Sequence, residues 1–298
     1  MPSVVKNTIN TLKDSYLGLK KYFFIFTITL LPTLTGFAQR TQKSSEIGLF
    51  LGGCYYIGDI NPNGHFSQFT KPAGGIVYRY NFNPRFAARA NALYGHYEAH
   101  DSYSKSAYQR QRNLSVKSEV IEVSAQFEFN FQNYEIGKDK SMLSPYIFMG
   151  LGGFYFNPQG QLGNDWVDLR PLHTEGQGLA GSATKSQYKQ LQISIPMGVG
   201  VKAVFSKGLG IGFEWGMRKT FTDYLDDVSR RYYDPNLLAA QKGATAALMS
   251  DPSIGTDPNH TNVGKMRGNS TTKDWYNFFG IVLTIKINRK ADLCPVAY

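Results

Sequence analysis

The sequence predicts an all-β protein, an eight-stranded antiparallel up-and-down transmembrane β-barrel with long extracellular loops, one of which carries a short helix. Three observations support this prediction. Eight segments alternate apolar and polar side chains, the N-terminus has the features of an export signal, and short connections alternate with long ones. Strands of about ten residues suffice to cross a bilayer when they are tilted by about 45°.

The clearest alternating run lies between Glu119 and Phe131. Apolar side chains occupy one parity, and the other parity is polar and carries two carboxylates, Glu122 and Glu128. A strand over a soluble core could alternate in this way, but an aromatic face opposite a charged face is typical of a strand between lipid and a polar lumen. Recurrence of the pattern favours the barrel.

The pattern recurs in seven more runs. They span residues 46–57, 76–81, 86–95, 145–156, 191–205, 209–218 and 276–287. The run at 145–156 is apolar on both faces and contains three glycines, so its orientation stays open. We expect the first strand to begin near Glu46 and the last to end near Asn288.

The N-terminal segment predicts export. Four lysines precede the apolar stretch 22–34, and Gly36-Phe37-Ala38 places small residues at a cleavage site before Gln39. A membrane-spanning helix is the alternative, but Pro32 and Gly36 interrupt a stretch shorter than the roughly 20 apolar residues that a span requires. We therefore predict a signal peptide over residues 1–38 and an outer-membrane barrel domain over residues 39–298.

The connections between the runs predict the orientation of the barrel. Those at 81–85, 132–144 and 206–208 are short, whereas those at 58–71, 98–117, 157–189 and 221–273 are long. Bacterial outer-membrane barrels have short periplasmic turns and long outer loops. We expect a barrel among the lipids of a Gram-negative outer membrane, with both termini in the periplasm.

The net charge is basic. It is +10 for the whole chain, and removal of four lysines and Asp14 with the signal leaves +7. Nucleic acid is a poor candidate for the counterpart, because the chain is exported and contains no nucleic-acid-binding motif. Ordinary solvated charge is favoured, and acidic lipid headgroups or an acidic protein partner are the alternatives.

The polar parity of the strands predicts an ion-pair network in the lumen. The lumen of an eight-stranded barrel is only wide enough to be filled by its own side chains, so a plugged polar core is favoured over a pore. Lys202 shares this parity. The residues predicted to form the network are Arg79, Arg89, Glu122, Glu128, Glu214 and Arg218.

Signals for metal binding and catalysis are weak. His96 and His100 have the four-residue spacing of a helical metal site, but they lie where a strand is expected. Asp223, Asp226 and Asp227 lack the spacing of a calcium loop and suit turns and caps. His100-Asp101-Ser102 has the residue types of a hydrolase, but a triad must converge in space and is rarely contiguous. We predict neither enzymatic activity, nor a metal site, nor a cofactor.

Two further features concern single loops and residues. Asp234-Pro235-Asn236 precedes an expected short helix at 237–249. Cys54 lies well inside the first strand, whereas Cys294 follows the last, so a disulfide between them is disfavoured on distance. Cys54 is expected to be a small packing residue, and Cys294 a free thiol or one that links a partner.

Several segments resemble a known family. The stretch from Glu214 to Ser229, EWGMRKTFTDYLDDVS, is similar to the signature of the PorG-like outer-membrane barrels, a component of the type IX secretion system. Residues 55–62, 78–85, 128–131 and 170–178 also resemble this family. The resemblance implies a non-enzymatic barrel that associates with a periplasmic ring, built from a lipoprotein and its partner, in secretion and gliding machinery.

Two functions therefore remain open. The first is a structural subunit of the secretion apparatus that docks the ring at its periplasmic face. The second is a small outer-membrane barrel that acts alone in transport or adhesion through its outer loops. The residues expected to dock the ring are the cations beside the short turns and in the tail, Lys138, Lys140, Lys207, Arg289 and Lys290.

Overall fold

The computed structural model describes residues 43–66, 69–137, 143–182, 184–206, 208–255 and 262–287. The predicted signal peptide at 1–38 lies outside these residues, so its boundary stays a prediction. Ten strands are present in the described chain. They are β1 (Ser44–Ile57), β2 (Thr70–Asn81), β3 (Phe86–His100), β4 (Ser115–Asn130), β5 (Ser144–Phe156), β6 (Gln159–Leu162), β7 (Asp165–Asp168), β8 (Leu191–Ser206), β9 (Leu209–Thr220) and β10 (Trp275–Lys286).

Eight of these strands close into an antiparallel barrel. Each pairs with its neighbour along the chain, and β1 pairs with β10 in a register that sets Glu46 opposite Lys286. The short strands β6 and β7 form a hairpin within the connection between β5 and β8. The prediction of a closed eight-stranded barrel is confirmed.

Connections of different length lie at opposite ends of the barrel. Three short connections join β2 to β3, β4 to β5 and β8 to β9 at the end where β1 begins and β10 ends, which we call the short-turn end. The four long connections lie at the other end, the long-loop end. The described parts of these loops, within 58–69, 101–114, 157–190 and 221–274, form what we call the loop cap.

Side-chain parity separates the wall from the lumen as the sequence predicts. On β4 the apolar Val123 and Phe127 are exposed outward, whereas Glu122 and Glu128 are buried inside. The run at 145–156, whose orientation stays open in the sequence, places Tyr146 in the lumen. This ring fits because the residue opposite, Gly200, has no side chain. A Cβ at position 200 would lie only 2.5 Å from the Tyr146 ring.

The long loops contain short helices: α1 (Ala107–Arg112), α2 (Pro235–Lys242) and α3 (Ala244–Ser250). The helix expected at 237–249 is thus two helices, because Gly243 between them has a φ of 92°. Asp234 accepts hydrogen bonds from the backbone N–H groups of Asn236 and Leu237 and so caps α2. No helix in the described residues is long and apolar enough to cross a membrane.

One loop folds back onto the outer wall. Tyr55 has outward parity but is only 1% exposed, because His65 and Phe66 lie beside its ring. The Phe66 ring also contacts Phe279 of β10 at 4.9 Å and Trp215 of β9 at 6.4 Å between centroids. We call this contact the Phe66 clasp.

The exposed apolar wall predicts a depth-dependent response to charge. Val199 lies midway along β8 between Ile147 and Trp215 and is half exposed. We expect Val199→Arg to lower the free energy of unfolding in lipid by roughly 2–4 kcal/mol, because an arginine would face hydrocarbon. Leu237→Arg, on the exposed side of α2, is the matched control, and unfolding by urea in vesicles is the measurement. Equal losses for both variants would contradict a lipid-facing wall.

Candidate functional sites in the lumen and the loop cap

The lumen network is centred on Glu128 of β4. Its carboxylate lies 3.2 Å from the Nε of Arg79 and 3.8 Å from a guanidinium nitrogen of Arg89, and it also accepts a hydrogen bond from Lys202. These three cations come from β2, β3 and β8, so one carboxylate links strands across the whole lumen. Lys202 lies over the rings of Tyr134 and Tyr146, at 4.3 and 4.8 Å.

Three more carboxylates complete the pairing. Glu46 is 2.8 Å from Arg79, Glu214 is 2.6 Å from Arg89, and Glu122 is 3.0 Å from Arg218. Tyrosine hydroxyls supply further donors: Tyr146 donates to Glu214 and Tyr276 donates to Glu122, both at 2.8 Å. Arg218 and Glu214 thus find their opposite charges on other strands.

The paired charges balance. The four cations are Arg79, Arg89, Lys202 and Arg218, and the four carboxylates are Glu46, Glu122, Glu128 and Glu214; all are at most 3% exposed. Such burial is tolerated because each ion has a close partner. The structure brings the six predicted network residues and Lys202 together. Glu46 was not in the predicted set, although its parity on the first run would have placed it there.

The short-turn end of the lumen is covered by the connection between β4 and β5. Tyr134 and Ile136 are 2% and 1% exposed. The Tyr134 N–H donates to the Pro84 carbonyl at 3.0 Å, and the Lys286 ammonium donates to the Ile136 carbonyl at 2.9 Å. We call residues 134–136 the lumen plug. Three residues are too few to show a significant alternation in the sequence, and their role follows from contacts with two other segments.

Toward the long-loop end the lumen becomes apolar and merges with the loop cap. Buried side chains from the strands pack with others from all four long loops in one cluster. Cys54 lies in this cluster as a buried free thiol, which fits the packing role expected for it. Cys294 lies outside the described residues. Loop residues in the cluster include Ile60, Leu114, Tyr188, Leu225 and Val228.

The acidic part of the 214–229 stretch forms the centre of the cap. Asp226 accepts a hydrogen bond from the Tyr56 hydroxyl and one from the Val228 N–H at 2.9 Å. Asp227, in a left-handed conformation with φ 60°, accepts from the hydroxyls of Thr174 and Tyr188. These carboxyl groups therefore fix the loop, as expected for turn and cap residues.

Two buried arginines join the loops. Arg112 of α1 binds both oxygens of Asp101, at 2.6 and 2.8 Å, and donates to the Arg267 carbonyl at 2.6 Å. Arg267 in turn donates to the Asp227 carbonyl and lies 3.4 Å from Glu175. Arg112 also donates to the Asp59 carbonyl at 2.9 Å, so charge-assisted hydrogen bonds tie all four long loops together. The sequence does not indicate this role for the two arginines, because the contacts that join separate loops are distant in the chain.

Burial raises the pKa values of several carboxyl groups in the cap. It raises the pKa of the Asp223 and Asp227 carboxyls to about 6, and raises that of Asp226 well above its usual range. For Asp226 the nearby Asp59 carboxylate adds to the effect of burial. Asp274 behaves in the same way, with burial as the main cause and Asp226 as the second.

The structure also places the residues considered for metal binding. His100 lies 2.8 Å from Glu98, while His96 packs against Tyr94 at 4.8 Å between ring centroids, on the same strand. Neither contact gathers further ligands. Within the described ranges, no group of three or more His, Cys, Asp or Glu side chains could hold a metal ion.

The predicted docking residues all lie outside the described ranges. Lys138, Lys140, Lys207, Arg289 and Lys290 fall in the undescribed parts of the short connections and the tail. Their role therefore stays a prediction. The described neighbours of these segments are the lumen plug, the two ends of the β8–β9 turn and the end of β10.

Comparison with models of known protein families identifies the family of this chain. The family model described as "Domain of unknown function (DUF6089)" matches residues 20–236. The chain belongs to the DUF6089 family. No curated protein matches this DUF6089 chain.

Solved structures similar to the DUF6089 chain include three small barrels. Neisserial surface protein A is 8% identical with a TM-score of 0.38, covering 83% of this chain and 99% of that chain. The Ail protein of Yersinia pestis, in complex with the heparin analogue sucrose octasulfate, is 8% identical with a TM-score of 0.36, at 83% and 99% coverage. OprG of Pseudomonas aeruginosa is 10% identical with a TM-score of 0.36, at 84% and 99% coverage.

The Arg218–Glu122 pair predicts non-additive losses of stability. Arg218→Met alone would leave the Glu122 carboxylate buried without its cation, at a cost on the order of 3–5 kcal/mol. The double variant Arg218→Met/Glu122→Gln removes both charges and should lose much less. Urea unfolding of each variant in vesicles measures the difference. If the single and double variants lost the same free energy, the pair would not act as a unit.

The raised pKa values predict a pH-dependent cap. Carboxyls with an ordinary pKa near 3.9 that is raised to about 6 in the folded cap keep their protons longer when folded. Their contribution to stability is full below about pH 4 and is lost as pH rises through about 6. Hydrogen exchange of 221–229, corrected for intrinsic rates, should show more opening at pH 7.5 than at pH 5. Asp223→Asn/Asp227→Asn should flatten this dependence, and unchanged protection would count against it.

Proposed function

We propose that this chain is a non-enzymatic outer-membrane β-barrel subunit of the type IX secretion and gliding machinery that docks a periplasmic ring of a lipoprotein and its partner. The observation that carries the proposal is the packed lumen. Paired charges fill it, the lumen plug covers one end and the loop cap covers the other. A barrel filled in this way suits an anchor better than a pore, so its function would lie on its end surfaces.

The resemblance to PorG-like barrels supports the choice of machinery. Its signature stretch at 214–229 supplies Glu214 and Arg218 to the lumen and Asp226 and Asp227 to the cap. One stretch thus stabilises both halves of the molecule. A barrel with this stretch at its centre would be a rigid platform, which is what a ring would need at its membrane anchor.

The docking surface that we propose is the short-turn end. Outer-membrane barrels hold their short turns in the periplasm, where a ring would lie. The described start of the β4–β5 connection is held in place there, because the lumen plug is hydrogen-bonded to Pro84 and Lys286. The five cations Lys138, Lys140, Lys207, Arg289 and Lys290 belong to the segments beside this surface and would meet an acidic ring face.

This proposal predicts loss of the ring on neutralisation of the five cations. Changing them to glutamine should leave a heat-modifiable, membrane-assembled barrel but reduce the ring proteins that copurify with it from detergent-solubilised membranes. Raised salt should weaken the unmodified complex, because exposed charges are screened within about 8 Å at physiological ionic strength.

The matched control removes the same charge from the opposite end. Lys105, Arg110, Lys185, Lys189 and Lys242 are exposed in the loop cap and also comprise four lysines and one arginine. Their replacement by glutamine should leave ring copurification unchanged. Undiminished copurification after the first replacement would move the contact elsewhere. Normal type IX secretion and gliding in cells that lack the protein would favour the alternative, a barrel that acts alone in transport or adhesion.

A further inference from the structure

In the loop cap most acidic side chains are buried, whereas many basic side chains are exposed. Only two exposed carboxylates, Asp165 and Asp168, lie in its described residues. The buried carboxyl groups of the cap are Asp101, Glu175, Asp223, Asp226, Asp227, Asp251 and Asp274. The exposed cations are Lys105, Arg110, Lys185, Lys189, Arg230, Arg231, Lys242, Lys265 and Lys273. Asp59 and Asp234 are half-buried. Nine exposed cations against two exposed carboxylates make the outer face of the cap positive.

These exposed cations keep their charge available. Among the described residues none of the nine forms an ion pair with a carboxylate. Arg231 donates to the Gly264 carbonyl at 2.6 Å, and Lys273 donates to the Ser270 carbonyl at 3.1 Å. Hydrogen bonds to neutral carbonyls orient these side chains without neutralising them. The face can still bind anionic groups.

An aromatic hollow opens beside this face. It has a volume of about 650 Å³, within the size range of ligand pockets, and lies between the loops at 58–69 and 101–114. Phe69 lies 5.1 Å from His100 and 5.0 Å from Tyr103 between ring centroids, and Tyr103 is 67% exposed. The Tyr103 hydroxyl and the Lys105 ammonium make no hydrogen bond within the part of the chain that the structure describes.

A second hollow of about 490 Å³ adjoins the first, and Ser106 and Gln109 line both. Tyr108, which is half exposed, and Lys265 line it, together with the half-buried Asp59 and the arginines Arg112 and Arg267. Each hollow is thus lined by an exposed tyrosine and an exposed lysine, Tyr103 with Lys105 in the first and Tyr108 with Lys265 in the second.

We propose that the outer face of the cap binds an acidic oligosaccharide, whose sugar ring occupies the hollow beside Tyr103 and whose acid groups meet the exposed cations. A sugar ring offers C–H groups that pack on an aromatic face and hydroxyls that hydrogen-bond to amides and hydroxyls, and the hollow supplies both. An acidic polypeptide could use the cations but has no need of an aromatic hollow. The binding face is at the opposite end from the proposed ring-docking surface and is independent of it.

The test uses the full-length protein in detergent and three soluble probes. A heparin-derived octasaccharide is the acidic sugar, maltooctaose is the neutral sugar, and poly-L-glutamate of similar charge is the polyanion without sugar rings. Titration calorimetry at 50 mM salt should show binding of the octasaccharide, at least tenfold weaker binding of poly-L-glutamate and little of maltooctaose. Binding should weaken at 300 mM salt, because part of it is electrostatic.

Two pairs of variants separate the contribution of the Tyr103 aromatic contact from that of the cations. Tyr103→Ala should weaken octasaccharide binding by roughly tenfold, whereas Tyr103→Phe, which keeps the ring, should change it by less than about threefold. Arg231→Gln/Lys265→Gln should weaken it several-fold. Lys43→Gln/Arg85→Gln, the same pair of residue types at the short-turn end, should not. Heat-modifiable migration shows that each variant is folded.

Three results would overturn the proposal. Equal affinity for octasaccharide and poly-L-glutamate, with no effect of Tyr103→Ala, would mean that the face binds acidic polymers without recognising sugar. Absence of octasaccharide binding at 50 mM salt would exclude an acidic oligosaccharide. Equal losses for the two charge variants would place the contact outside the cap. None of these results bears on copurification of a ring.

Discussion

The narrowness of an eight-stranded lumen is the constraint on which the rest of this structure depends. A lumen filled by its own side chains solvates a charge poorly, so each buried ion needs an ion of opposite sign within reach. Glu128 meets this requirement with cations from three strands, and Arg89 is shared between Glu128 and Glu214. The same side chains that balance the charge thereby join strands that are not neighbours in the sheet. The closed barrel and its ionic interior stabilise one another.

The loop cap satisfies its buried carboxyls in a different way. In the lumen a carboxylate meets a guanidinium or ammonium group, whereas in the cap Asp226 and Asp227 accept mainly from hydroxyl and backbone donors. Neutral donors compensate a charge less completely than a cation does, so the cap carboxyls are held with raised pKa values. Arg112 and Arg267 are the exceptions, and both lie where separate loops meet.

The sequence predicted the barrel well because the wall depends on local alternation. All eight runs became strands, and the parity of Glu122 or Arg218 was enough to place each in the lumen. Features that depend on distant contacts were not predicted. The lumen plug, the contact of Arg112 with the Arg267 carbonyl and the inward rings of β5 each require a partner whose position follows only from the closed fold. The burial of the acidic side chains of the cap and the exposure of its basic ones were not predicted either. A residue's charge can be read from the sequence, but its burial depends on the folded loops.

The Phe66 clasp has a consequence for assembly. The barrel closes where β1 meets β10, and the clasp lies across this seam, touching β1 through Tyr55, β10 through Phe279 and β9 through Trp215. A slip of two residues along the seam would keep the alternation of side chains but move Phe279 by roughly 7 Å relative to Tyr55. The Phe66 side chain could then no longer contact Tyr55, Phe279 and Trp215 at the same time. A single aromatic side chain outside the sheet thus acts as a register check where the two ends of the barrel sheet pair.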